Sequence, residues 1–233
     1  MGSTRLPGKM LLKIGNEKLI DIIIKRLLKS YSNENIILAT SKNKENADLV
    51  NAVNAFNIET FQGSENNVLS RFIEIANIHK VKYIVRITGD SPCIEPSIIE
   101  KGLLQIESNN YDYVSTTLDS TYPVGIHIEI FRSRLIEDVD QNILSYKSIE
   151  HVTPFIYNDG SLKKSLIKSN INYPPGRYTI DYHEDIEFFR KLVEETGVSL
   201  SMIRSHHLNK IYRQNNELFS INNMILKERT VKE

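Results

Sequence analysis

The stretch KLIDIIIKRLLKSYSNENIILAT, Lys18 to Thr40, decides the fold class. Leu19, Ile20, Ile23, Ile24, Leu27 and Leu28 recur at helical spacing, which predicts an amphipathic helix from Lys18 to Tyr31 with one broad buried face. Ile36-Ile37-Leu38 then reads as a short buried strand ending at Thr40, because β-branched residues favour a covered, pleated surface. The same exchange repeats downstream. Residues 45–56 are expected to be helical, 58–61 extended, 68–79 helical, and 83–88 and 112–117 strands. Such alternation predicts an α/β domain with a largely parallel sheet and helices on both faces.

After Tyr122-Pro123 the pattern changes. Residues 125–131 alternate as a strand does, followed by a charged helix, and this reads as an excursion from the main sheet. Beyond it a helix is expected over 148–157, a strand over 164–168, and a turn at Tyr173-Pro174-Pro175-Gly176 leading into an extended piece over 177–181. A helix follows over 183–195. The tail past Arg213 is weakly periodic and rich in Asn and Glu. The expected organisation is one domain over 1–212, with the excursion at 121–158, and a C-terminal extension over 213–233.

The chain has 233 residues, with Lys+Arg and Asp+Glu both at 29, so it carries no basic field of the kind that drives non-specific binding to nucleic acid. The single cysteine, Cys93, excludes an internal disulfide framework and a Cys-rich zinc site and suits a reducing compartment. No run approaches the 18 apolar residues of a membrane span, and the polar start lacks the apolar core of a signal peptide. A cytoplasmic location without membrane or nucleic-acid partners is expected.

Three segments carry chemistry. Gly2, Ser3, Thr4, Arg5, Gly8 and Lys9 place two glycines, two hydroxyls and two cations in one short non-helical stretch, as a phosphate-holding loop requires, although a flexible basic terminus has the same composition. The Walker spacing GxxxxGK[ST] is absent. Asp90 follows an apolar strand in Thr88-Gly89-Asp90, which puts a carboxylate at the carboxyl end of the sheet, where ligands of such folds bind; an Asx turn closing the strand is the alternative. Asp181 has the same setting after the second extended piece. Two carboxylates at one edge suit Mg²⁺ bridging triphosphate oxygens, so Arg5, Lys9, Asp90 and Asp181 are expected to converge there. Asp185 is expected to cap the helix that follows or to charge its first turn.

The run Gly2-Ser3-Thr4-Arg5-Leu6-Pro7-Gly8-Lys9 resembles the signature loop of cytidylyltransferases that activate acidic sugars. It is most like the spore-coat polysaccharide type, similar to CMP-Kdo and CMP-N-acylneuraminate synthetases. Gly63-Ser64-Glu65 with Val68, Leu69 and Arg71 also match, as do residues 85–92, Glu150-His151-Val152-Thr153-Pro154, and Thr179-Ile180-Asp181 with Glu184-Asp185. The likeness covers residues 1 to about 190. It implies a Rossmann-like nucleotide-diphospho-sugar transferase fold, CTP and an acidic sugar as substrates, Mg²⁺ held by Asp90 and Asp181, and a homodimer in which 121–158 completes the neighbour's sugar site. By the same resemblance Arg71 helps read the base, and Glu150 and His151 belong to the sugar site or the dimer interface. Glu129 lies in the excursion beside His127, where the family commonly has an acidic residue, so the sugar is left open. Arg177 has two readings, a bidentate partner for the sugar carboxylate or a residue packed beside the turn.

The implied reaction is in-line attack of the sugar hydroxyl on the α-phosphorus of CTP with loss of pyrophosphate. The competing readings are another nucleotidyltransferase or a glycosyltransferase on the same fold, or a non-catalytic nucleotide-binding relative. In the resembling family an apolar strand ending in Ala-Arg precedes the loop. The sequence as given is therefore expected to lack the first strand of that fold, with lower stability and activity than a form extended by it.

Overall fold

The computed structural model describes residues 5–118, 121–137 and 139–223. A two-rung hairpin of β1 (Lys13–Ile14) and β2 (Glu17–Lys18) leads into α1 (Leu19–Leu27), which buries Leu19, Ile20, Ile22, Ile23, Ile24 and Leu27. The alternation then runs β3 (Ile37–Ser41), α2 (Ala47–Asn54), β4 (Glu59–Gly63), α3 (Val68–His79), β5 (Tyr83–Ile87), α4 (Pro96–Ser108) and β6 (Tyr113–Ser115). The α/β class holds. No element was expected between 88 and 112, yet α4 forms there, opened by Pro96 at its first turn, where a missing N–H costs nothing.

The strands make a parallel pair, β3 with β4, and a four-stranded sheet in the order β5-β7-β6-β8, where β7 is Ile128–Arg132 and β8 is Lys164–Leu166. β7 runs antiparallel to both of its neighbours and β8 parallel to β6, so β5, β6 and β8 point the same way and β7 alone is reversed. Among the described strands, β3 and β5 each carry a ladder on one edge only.

The reversed strand corrects the expectation of an excursion. Alternating residues declare a strand but not its place, and β7 inserts into the interior of the main sheet. Ile128, Glu129, Ile130 and Phe131 are all buried, and Gly102 of α4 lies flush against it: a Cβ there would come within 2.5 Å of Ile130 Cδ1.

Three further expectations are redrawn. The helix expected over 148–157 is broken into α6 (Tyr146–His151) and α7 (Pro154–Asn158), after the four-residue α5 (Arg134–Glu137), because Pro154 cannot continue the preceding turn. Val152 at the break is fully buried with φ 71°, a costly conformation for a β-branched residue. Residues 177–181 form no ladder and are held by single bonds from Tyr178 N to Val124 O (2.7 Å) and from Ile180 N to Asp90 O (2.9 Å). Finally, residues 214–223 are not peripheral. After α8 (His183–Thr196) and α9 (Ser205–Gln214), a 3₁₀ turn over Asn216–Ser220 buries Leu218 and Phe219, and Asn222 is fully buried. The main apolar cluster runs from Leu6 to Phe219.

Candidate active site

The loop that opens the described chain is anchored by buried Leu6 and turned by Gly8, whose φ of 69° is the left-handed conformation that glycine adopts without cost. That turn brings Lys9 back over the sheet edge. Lys9 Nζ lies 3.3 Å from Asp90 Oδ2, 3.1 Å from Asp181 Oδ1 and 3.1 Å from the Ile180 carbonyl. Arg5 Nη2 reaches the same Asp181 Oδ1 at 3.2 Å, and its guanidinium lies 5.4 Å from the centre of the Tyr182 ring. The structure thus brings Arg5, Lys9, Asp90 and Asp181 together. Gly2, Ser3 and Thr4 lie outside the described residues.

The two carboxylates meet because the main chain ties their loops. Asp90 follows β5 in a turn closed by Ser91 N to Thr88 O, and its own carbonyl accepts the N–H of Ile180, the residue before Asp181. Burial alone would raise the Asp90 carboxyl. The charge of Lys9 and hydrogen bonds from Thr88 and Lys9 outweigh it and hold the group below its usual range, so it is an anion at neutral pH. Oxygen donors from two carboxylates fit Mg²⁺, which is commonly held by one or two carboxylates plus water and phosphate oxygens. Among the described residues no group of three or more His, Cys, Asp or Glu side chains forms a fuller metal cage.

Behind Asp181 stands a support that sequence reasoning missed. Asp185 is fully buried and accepts the backbone N–H groups of Asp181 (2.9 Å) and Tyr182 (3.0 Å), so it caps α8 as expected. It also accepts Nε and Nη2 of Arg177 at 3.2 and 3.3 Å and Nδ2 of Asn222 at 3.0 Å. Arg177 is therefore committed to Asp185, with Asp181 Oδ2 at 3.5 Å, which favours the second of its two readings. An acidic residue three positions past Tyr182 was the available signal for the cap; nothing local announces Asn222.

The remaining site residues lie elsewhere. Arg71 is buried, and its guanidinium donates to the carbonyls of Ser64 (2.6 Å), Ala39 (3.2 Å) and Glu65 (2.9 Å), tying β3 to the turn after β4. Gly63 makes room for it, since a Cβ there would meet Arg71 Cγ at 2.8 Å. Glu129 is buried within the sheet and accepts from Arg86, its cross-strand partner, from Tyr113 Oη (2.7 Å) and from Thr153 Oγ1. His127, just ahead of β7, is half-buried. Desolvation lowers its proton affinity against the pull of Asp90 and Glu129, and Arg86 adds to the lowering. Glu150 and His151 are exposed at the end of α6. Cys93 is buried, which pushes its thiol up to about 12 and leaves it a small hydrophobe. A cavity of about 580 Å³ lined by Asn172, His206, Asn209, Lys210, Arg213 and Gln214 shares no residue with the carboxylate cluster.

Comparison with known proteins identifies the family. The cytidylyltransferase family model matches residues 1–227. The spore coat polysaccharide biosynthesis protein SpsF of Bacillus subtilis is 32% identical over 211 residues, covering 84% of each chain. The 3-deoxy-manno-octulosonate cytidylyltransferase of Chlamydia trachomatis serovar L2 is 27% identical over 211 residues, 85% of this chain and 80% of the relative. A cytidylyltransferase structure from Leptospira borgpetersenii superposes with a TM-score of 0.84 at 26% identity, over 94% of this chain and 92% of that one. With the family model matching residues 1–227 and the fold in agreement, the chain belongs to the cytidylyltransferase family of nucleotidyltransferases.

Proposed function

We propose that this cytidylyltransferase transfers CMP from CTP to an acidic sugar, a ulosonic or nonulosonic acid, for surface polysaccharide or glycan synthesis, with Mg²⁺ held by Asp90 and Asp181. The observation that carries the reading is the meeting of Arg5, Lys9, Asp90 and Asp181 at one edge. The functions of the relatives, spore coat polysaccharide biosynthesis and 3-deoxy-manno-octulosonate cytidylyl transfer, support the choice of sugar class.

In the reaction the sugar hydroxyl oxygen forms a bond to the α-phosphorus of CTP, the bond from that phosphorus to the bridging oxygen breaks, pyrophosphate leaves with the electron pair, and the hydroxyl proton passes to solvent. Bound Mg²⁺ would supply charge neutralisation at the triphosphate. Arg5 and Lys9, held beside the two aspartates next to the Gly8 turn, act on the same charge as hydrogen-bond donors to the phosphate oxygens. Asp185 and Arg177 hold Asp181 in place. Arg71 serves the base indirectly, by fixing the 63–65 turn. Glu129 shapes the sugar side from within the sheet, and Glu150 and His151 present polar groups at the end of α6. A homodimer through 121–158 is part of the proposal, and Ile143 and Tyr146, exposed at 79% and 68%, are the apolar side chains on that stretch that a second copy would cover. The cytoplasm, where CTP is made, is the proposed location; no helix among the described residues is long and apolar enough to cross a membrane.

The test is pyrophosphate release from CTP and Mg²⁺ against a panel of ulosonic and nonulosonic acids and neutral sugar phosphates. Release with an acidic sugar, lost in Asp90→Asn and Asp181→Asn, is expected. Release only with neutral sugar phosphates overturns the substrate class.

A further inference from the structure

We infer that Lys9 is a built-in counter-ion that keeps the Asp90–Asp181 pair closed to free divalent metal, so that metal enters this site only together with a nucleotide. The inference deepens the proposed function and rests on its reading of the two aspartates as the metal-holding pair.

A lysine ammonium has three N–H donors and no acceptor. Here its partners are two carboxylate oxygens and one carbonyl, at 3.3, 3.1 and 3.1 Å, an all-oxygen set of the kind a hard cation takes. Both oxygens of Asp181 are engaged: Oδ1 by Lys9 and Arg5, Oδ2 by Arg177. The ammonium is also well covered, its side chain 15% exposed.

The charges around this point balance. Arg5, Lys9 and Arg177 face Asp90, Asp181 and Asp185 through the ion pairs above. A free dication therefore meets no net attraction and has to displace an ammonium from the oxygens it needs, while Mg²⁺ gives up its own water reluctantly. A nucleoside triphosphate changes this balance. Its oxygens compete for Lys9 and Arg5, and each cation that turns to a phosphate releases a carboxylate oxygen. Lys9 suits the exchange because its charge sits on a flexible four-carbon stem beside the Gly8 turn. The chain thereby couples metal occupancy to nucleotide occupancy by exchanging one cation for another.

Mn²⁺, whose free form is counted directly by electron paramagnetic resonance, is the probe, titrated into the full chain without nucleotide. Lys9→Met and Lys9→Gln are expected to bind Mn²⁺ at least tenfold more tightly than wild type, and adding Asp90→Asn to Lys9→Met should abolish the gain. Equal binding by wild type and folded Lys9 variants overturns the inference, as does a gain that survives Asp90→Asn. Wild-type protein provides a measurement independent of the variants: the ¹⁵N resonance of the Lys9 ammonium should shift on adding CTP alone and stay in place with Mg²⁺ alone. An equal shift with Mg²⁺ alone overturns the inference. The two levels separate cleanly. Turnover of CTP without the Mn²⁺ gain removes the counter-ion role only, whereas the gain without turnover on any acidic sugar removes the proposed reaction and leaves the counter-ion in place.

Discussion

Replacing Asp185 with Asn tests the support behind the site most directly. The carboxylate is fully buried and accepts from Asp181 N, Tyr182 N, Asn222 Nδ2, and Nε and Nη2 of Arg177, whose side chain is 9% exposed. An amide keeps one acceptor oxygen and turns its NH₂ toward donors whichever way it is flipped. Removing one partner of a buried ion pair costs about 3–5 kcal/mol, and losing a helix cap adds about 1 kcal/mol. Asp181 Oδ2, 3.5 Å from Arg177, recovers part of this, so the expected loss is about 4 kcal/mol. In a chain of this length that corresponds to a melting temperature lower by about 10 °C. Urea denaturation should show the loss as a lower midpoint with an unchanged slope. A loss below about 1 kcal/mol would refute the reasoning, because it would mean that Arg177 and the cap carry no net burden on Asp185.

Gly125→Ala should cost about 3 kcal/mol or more and depress CTP turnover: its φ is 97°, and the new Cβ would lie 2.1 Å from the carbonyl carbon of Tyr178, in the segment that leads to Asp181. Thermal melting and pyrophosphate release check both halves. Arg26 is 1% exposed and donates to the carbonyls of Cys93, Ile94, Leu200 and Ile203, joining the chain after Asp90 to the C-terminal region. Arg26→Lys, with fewer donors and the wrong geometry, should lose about 2–3 kcal/mol in chemical denaturation. At Glu17, burial raises the carboxyl but bonds from Lys25 and Ser201 more than offset it, so the folded value lies below the unfolded one. Its stabilisation is present above the unfolded value of 4.5 and is lost as pH falls through the folded value. Glu17→Gln should make the acid limb of the stability profile shallower, and an unaltered limb would contradict this.

The parts of the fold that could be read from the sequence are those dictated by local pattern. The apolar spacing of α1 and α3 and the β-branched runs of β3 and β5 announce themselves, since one face of each must leave water. Pairing partners cannot be read this way. Residues 128–132 look the same as an outlying strand or as one inserted between β5 and β6, because alternation marks a buried face and says nothing of the neighbour. Within the site, Lys9 and Asp90 were legible because a glycine turn and a strand end deliver them, whereas the extended piece expected before Asp181 forms no ladder and is held by Val124 and Asp90. Arg71 and Glu129 were legible as residues but not as buried hubs, since their partners are backbone carbonyls and a distant Tyr and Thr. Asn222 was illegible: its contacts reach back to Arg177 and Asp185 across most of two helices.

The reversed strand β7 also sets a schedule for folding. Ser115 meets Glu129 across a short connection, whereas Ile87 must wait for Ile128, with α4 and β6 made in between. Closing the longer loop costs about 1 kcal/mol more in chain entropy, which favours β6 and β7 as the earlier pair and β5 as the late arrival. Mutations in the β6–β7 ladder should then slow folding, while those on β5 mainly speed unfolding. Asp90 hangs from the end of β5, and Asp181 follows Tyr178, which is held by Val124 in the segment leading to β7. On this schedule Asp90 reaches its place with β5, and the bond from Ile180 N to the Asp90 carbonyl brings Asp181 to it at the same late stage.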